Sequence, residues 1–321
     1  MFAVRGITVC LAIFFTLYAP LSFAVCLLWR KVWLYGQQSS ARRCANLLFI
    51  LRLAPFLIAT AVTLALAVPS FLFLEPRTVE ESIGAPSIIL CLCALAAILG
   101  GIWKAVKALL LASRAIARWS RDVRGAGFKV IDCAQSVSVM RISSPVPPLT
   151  AAGILRPRVW LSSAAEFMLT GRELQCALRH EVAHVRRRDN LKKLVLRLVA
   201  FPGMVELESA WREAAEMAAD DAAVSTASEA LDLAAALIKL SRLVPLAAPV
   251  QLATSLVHSP AESVNARVER LIAWTAQPHK PAARYSWTYS LCAAATVLAT
   301  LAVTYHQLLV RVHEATEWLV R

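Results

Sequence analysis

Four apolar stretches constrain what this chain can fold into. A helix crosses the hydrocarbon core of a bilayer in about 20 residues. Four runs are of that order: about Ile7–Trp29, Ala54–Leu74, Ala85–Ile102 and Trp287–Val310. They explain why 58% of the 321 residues are hydrophobic, against roughly 45–50% in a soluble domain. The first run is too long for a signal-peptide core and has no small-residue cleavage site after it, so it reads as a span, with Pro20 as a kink.

Charge orients the spans. The segment after the first run carries Arg30, Lys31, Arg42 and Arg43 without an acid. The segment after the second carries Glu75, Glu80 and Glu81 against Arg77, and the third is followed by Lys104, Lys107, Arg114, Arg118 and Arg121. Positive loops stay in the cytoplasm. The expected layout is therefore three spans in 1–102, a cytoplasmic domain over 103–286, a fourth span at 287–310 and a short extracytoplasmic tail, with both termini outside. The net charge of +13 reads, beside the apolar excess, as membrane-flank charge, so a nucleic-acid partner is not expected. The eight cysteines form no CxxC pair and suggest no disulfide framework, in keeping with a reducing compartment.

The cytoplasmic segment opens with Lys104–Trp119, a helix continuing from the third span, with Val106, Leu109, Leu110 and Ile116 on its apolar face. Four short apolar runs follow: Phe128–Ile131, Val137–Ile142, Leu149–Ile154 and Val159–Leu161. Gly and Pro separate them, as expected of strands, and one of them is expected to offer an edge to a substrate strand. Helices dominate from Gly171 to about Trp274. The fold class is thus a mainly α integral membrane protein with four transmembrane helices and a cytoplasmic α+β domain built around a small sheet.

Thr170 and Glu173 have the spacing of a capping box. The helix they open carries His180, Glu181 and His184. Residues i and i+4 share a helix face, so both imidazoles can reach one metal ion, with the Glu181 carboxylate beside them. Zinc suits such a set: catalytic sites use three protein ligands and keep one position open. An accidental HExxH is expected on the order of once in a hundred chains of this size. A second helix, Trp211–Val224, offers Glu213, Glu216, Asp220 and Asp221. Glu216 is taken as the third ligand, and Asp220, one turn on, as the partner of a ligating histidine's far nitrogen. His258 is a candidate for stabilising the oxyanion. Arg186, Arg187 and Arg188 read as helix-terminal charge at the membrane surface, and Lys192, Lys193 and Arg197 as the polar face of an interfacial helix.

These stretches stand in the order seen in the BlaR/MecR antirepressor-type membrane metallopeptidases, which the chain resembles over most of its length up to the fourth span. GILRPRVWL (153–161) resembles that family's strand pair, and HEVAHVRRRD (180–189) its H-E-x-x-H-x-x-R-x-D helix. Phe201-Pro202 resembles the turn that follows, EMAAD (216–220) the ligand helix, and NARVERL (265–271) the closing R-I-x-x-L segment. Ala219 stands where the family usually has Cys. The resemblance implies a zincin-like cytoplasmic domain, with His180, His184 and Glu216 as zinc ligands, Glu181 as general base and Asp220 as orienting residue. It further implies a bacterial inner-membrane endopeptidase acting on a protein substrate, a transcriptional repressor or its own chain; homodimerisation stays open. The family's antibiotic receptors continue into an extracytoplasmic penicillin-binding domain, whereas here only His306–Arg321 follows the core of the fourth run, so no such sensing is expected of this chain. The rival reading is a signal transducer that uses the peptidase-like domain as a relay without cleaving.

Overall fold

The computed structural model describes residues 2–75, 84–123, 127–132, 135–143, 148–243, 253–255, 261–274 and 304–314. It is mostly helical, with one small mixed sheet. Three helical segments are long and apolar enough to cross a membrane: Phe2–Gln37, Ala41–Leu74 and Ala85–Arg121. Of the fourth expected span, only 304–310 lies among the described residues, in a helical stretch 304–314. The chain divides into two compact units, Met1–Leu27 with Leu51–Leu99 and Gln277–Arg321, and Leu28–Ile50 with Gly100–Ala276.

In the first unit, α1 (Phe2–Gln37) continues through Pro20. Phe14 and Tyr18 of α1 meet Phe56 of α2 (Ala41–Val62) edge-on, at centroid distances of 5.7 and 6.0 Å. A π-helical turn, Thr63–Ala67, joins α2 to α3 (Val68–Leu74). Its cause is local. Pro69 has no N–H, and its ring crowds the carbonyl four residues back, which is that of Ala65. That carbonyl accepts the Tyr305 hydroxyl at 2.7 Å, and Ser70 Oγ donates to the Leu309 carbonyl at 3.1 Å.

The second unit takes α4 (Ala85–Arg121) from Gly100 onward, and the helix runs on beyond the apolar stretch, as its sequence predicts. The face it buries is the expected one only at Ile116, which packs against Ala115 and Trp119. Val106, Leu109 and Leu110 are exposed, while Ala105, Ala108, Ala112 and Ala115 are buried. Small side chains let neighbours approach the helix backbone. Ala108 and Ala112 pack with Ile154 and Leu194, and Ala115 and Trp119 pack with Trp160 and Ile142. At Gly101 an added Cβ would lie 1.9 Å from the Leu198 carbonyl oxygen.

The sheet has the order β1-β2-β4-β3-β5. β1 (Phe128–Asp132) and β2 (Gln135–Ile142) form an antiparallel hairpin, β2 pairs parallel with β4 (Arg158–Ser162), and β4 pairs antiparallel with β3 (Leu149–Ala152). The four expected strands are thus present. A fifth, β5 (Ala253–Ser255), is not foreshadowed by the sequence pattern. It pairs with β3, Ala151 opposite Thr254, so among the described strands β1 and β5 are the outer ones and, of the four expected strands, β1 stands at an edge. After the short α5 (Ser163–Met168), helices α6 (Gly171–Arg187), α7 (Asp189–Leu198), α8 (Val205–Ala223), α9 (Ala227–Ser241) and α10 (Ala261–Ile272) complete the unit. Val139, Leu149, Val159 and Leu161 of the sheet share one core with Ala177, Leu178 and Val182 of α6 and Leu233 and Leu237 of α9. α6 therefore lies with one face fixed against the sheet, which decides where its polar face points.

Candidate active site

The start of α6 is set by the expected capping box. Thr170 N–H donates to Glu173 Oε2 at 2.8 Å, and Glu173 N–H donates to Thr170 Oγ1 at 3.4 Å. Leu169 and Leu174, on either side of the cap, join the same core and fix the entry angle. Further along the helix, His180, Glu181 and His184 are all buried.

The two imidazoles meet edge to face, with ring centroids 4.8 Å apart and planes at 78°. Their Nε2 atoms converge to 3.1 Å. Glu216 comes from α8, with Oε2 3.5 Å from His180 Nε2 and Oε1 3.5 Å from His184 Nε2. Ligands held 2.0–2.1 Å from a tetrahedral zinc lie roughly 3.3–3.4 Å from one another. The spacing of the three donor atoms is close to that. The far nitrogens are also provided for: His180 Nδ1 is 2.9 Å from Asp220 Oδ1, and His184 Nδ1 is 2.7 Å from Asp189 Oδ2. A carboxylate on Nδ1 selects the tautomer whose Nε2 lone pair is available to a metal. The donor set and its support fit zinc.

Asp220 stands where its spacing on the helix predicts. Asp189 carries no such signal in the sequence beyond closing the H-E-x-x-H-x-x-R-x-D pattern. α6 stops because Arg188 takes a left-handed conformation, φ 53° and ψ 40°. The chain then turns back, which brings Asp189, at the start of α7, against His184. A left-handed residue without glycine costs about 1–2 kcal/mol, and no Gly or Asn marks this break in the sequence. Arg187 is also not at a surface: its Nη1 donates to the Ala215 carbonyl at 2.8 Å.

Glu181 Oε2 accepts the Ala151 N–H of β3 at 2.8 Å. Asn190 Nδ2 donates to the Ala151 carbonyl at 3.0 Å. The Glu181 carboxylate is thereby tied to a strand beside the three converging donor atoms. Burial pushes its pKa up to about 7, against the pull of His180 and His184. Glu216 behaves oppositely. Burial would raise it, but the charges of His184 and Arg267 hold it well below the usual carboxylate range. His184 is lifted to about 9: burial opposes this, but Glu216 and Asp189 outweigh it. Lys193, expected from the sequence to be an interfacial charge, has its pKa lowered by burial, partly offset by Glu216, Asp189 and Glu181. Arg267 of α10 contacts Glu216 and Asp220 of α8. His258 lies outside the described residues. Among the described residues, His180, His184 and Glu216 are the group able to hold a metal ion.

The family model for BlaR1 peptidase M56 matches residues 12–271 of the chain. No curated protein gives a significant match.

Proposed function

The chain belongs to the BlaR1 peptidase M56 family, and on that premise we propose that it is a membrane-embedded zinc endopeptidase. Its substrate would be a cytoplasmic or juxtamembrane protein, with a transcriptional repressor or the chain itself as candidates, in regulated proteolysis at a bacterial inner membrane. One observation carries this reading: three ligand atoms of His180, His184 and Glu216 converge beside a buried carboxylate whose pKa is about 7.

Zinc bound by these three residues would supply Lewis acidity, polarising a carbonyl and making water a better nucleophile near neutral pH. Glu181 would take the proton of the attacking water and pass it to the leaving amine, work that suits a base whose pKa lies near the operating pH. The Ala151 N–H holds one Glu181 oxygen, and the other, Oε1, has no hydrogen-bond partner. That oxygen is the one free to accept the proton. Asp189 and Asp220 would keep both imidazoles in the ligating tautomer.

The loop charges support a cytoplasmic site with both termini outside. The test is cleavage of a casein-type protein by purified protein, with and without chelator, in wild type and Glu181→Gln. Cleavage that needs metal and is lost in the variant is expected. Unchanged cleavage in the variant overturns the role of Glu181. A wild type that cleaves nothing and is indifferent to chelator favours the relay.

A further inference from the structure

We infer that Arg267 is a resident counter-cation that holds the Glu216 carboxylate in ligating geometry, and Asp220 against His180, before a metal binds. The inference rests on the metal-site reading above. Arg267 is buried, with 2% of its surface exposed. Its Nε and Nη2 grip Asp220 Oδ2 and Oδ1 at 2.8 and 2.6 Å, and its Nη1 lies 3.1 Å from Glu216 Oε2. One guanidinium thus spends all three nitrogens on two acids one turn apart on α8. Asp220 in turn faces His180 Nδ1. The fork leaves Glu216 Oε1 turned toward His184.

Two buried carboxylates this close cannot both stay ionised without a counter-charge. Arginine suits the task because it cannot lose its proton and its planar fork fixes direction as well as charge. In keeping with this, Asp220 is held well below the usual carboxylate range: burial opposes ionisation, and Arg267 overcomes it. α10 itself is anchored by Val264 and Leu271 in the core, so the guanidinium has a fixed base. Further along α10, Arg270 pairs with Asp221, but both side chains there are 36% exposed. That neighbouring pair is a natural control, since an exposed pair contributes little.

A bound dication would neutralise the same carboxylates. Loss of Arg267 should therefore harm the metal-free protein much more than the zinc-loaded protein, whereas a residue that merely latches α10 would harm both equally. The experiment is thermal unfolding of the full chain in detergent, with saturating zinc and with excess chelator, for wild type, Arg267→Gln, Arg267→Lys and Arg270→Gln. The fall in Tm on chelation should at least double in Arg267→Gln, take an intermediate value in Arg267→Lys, and match wild type in Arg270→Gln. An equal fall in wild type and Arg267→Gln overturns the inference. Should Arg267→Gln not fold, Arg267→Lys decides: a fall no larger than wild type overturns it. A wild type that shows no fall on chelation refutes the metal site itself, and the inference with it.

Discussion

Replacing Glu181 by Gln separates two consequences of burying a carboxylate beside the ligand set. The side chain is fully buried, and burial raises its pKa from an ordinary 4.5 to about 7. The folded protein therefore binds this proton more tightly than the unfolded chain does. The sign follows. Below pH 4.5 the group is protonated in both states and costs nothing. As pH rises through 7, the folded state loses stability relative to the unfolded chain. The loss is about 3 kcal/mol at full ionisation, since a tenfold change in proton affinity corresponds to about 1.4 kcal/mol. Gln is nearly isosteric, its amide oxygen can still accept the Ala151 N–H, and it never ionises. In chelator, Glu181→Gln should melt roughly 5–10 °C above wild type at about pH 8.5, with a much smaller difference at about pH 5. The same variant, loaded with zinc, should lose about 10²–10⁴-fold in cleavage rate. The assay is a melting curve in detergent at the two pH values, paired with a cleavage assay. A difference in Tm that does not change with pH, or a variant that melts below wild type at the higher pH, would refute the argument from burial.

Asp189→Asn keeps the size of the residue that holds His184 Nδ1 but removes its charge; zinc affinity measured by chelator competition should fall about 10–100-fold, and an unchanged affinity would mean that Asp189 does not orient His184. Gly101→Ala places a methyl group against the Leu198 carbonyl oxygen, whereas at Gly100 an added Cβ meets nothing within 4 Å. The first should therefore lower Tm by several degrees and Gly100→Ala leave it unchanged or slightly raise it; equal melting of the two variants would show that α7 does not approach α4 at Gly101.

What is legible in the sequence is local in the chain. The capping box of Thr170 and Glu173 and the shared face of His180 and His184 follow from helix geometry over three or four residues, and so does the placing of Glu216 and Asp220 on one face of α8. The features that escape depend on tertiary placement. Asp189 reaches His184 only because Arg188 reverses the chain in a conformation its residue type does not advertise. Arg267 meets Asp220 across 47 positions of sequence, a distance at which spacing carries no signal. On α4, bulk points to Val106, Leu109 and Leu110 as the buried face, while the structure selects small residues for close approach. β5 is three residues long, too short for alternation to show. His258 and most of the fourth expected span lie outside the described residues.

Whether His180, His184 and Glu216 hold zinc for peptide hydrolysis is tested most directly by metal analysis. Protein purified in detergent without chelator should carry one zinc per chain. His180→Ala, His184→Ala and Glu216→Ala should each lose most of that zinc and all metal-dependent cleavage while keeping their helical circular dichroism. Wild type without zinc after reconstitution, or variants that retain the full complement, would contradict the account.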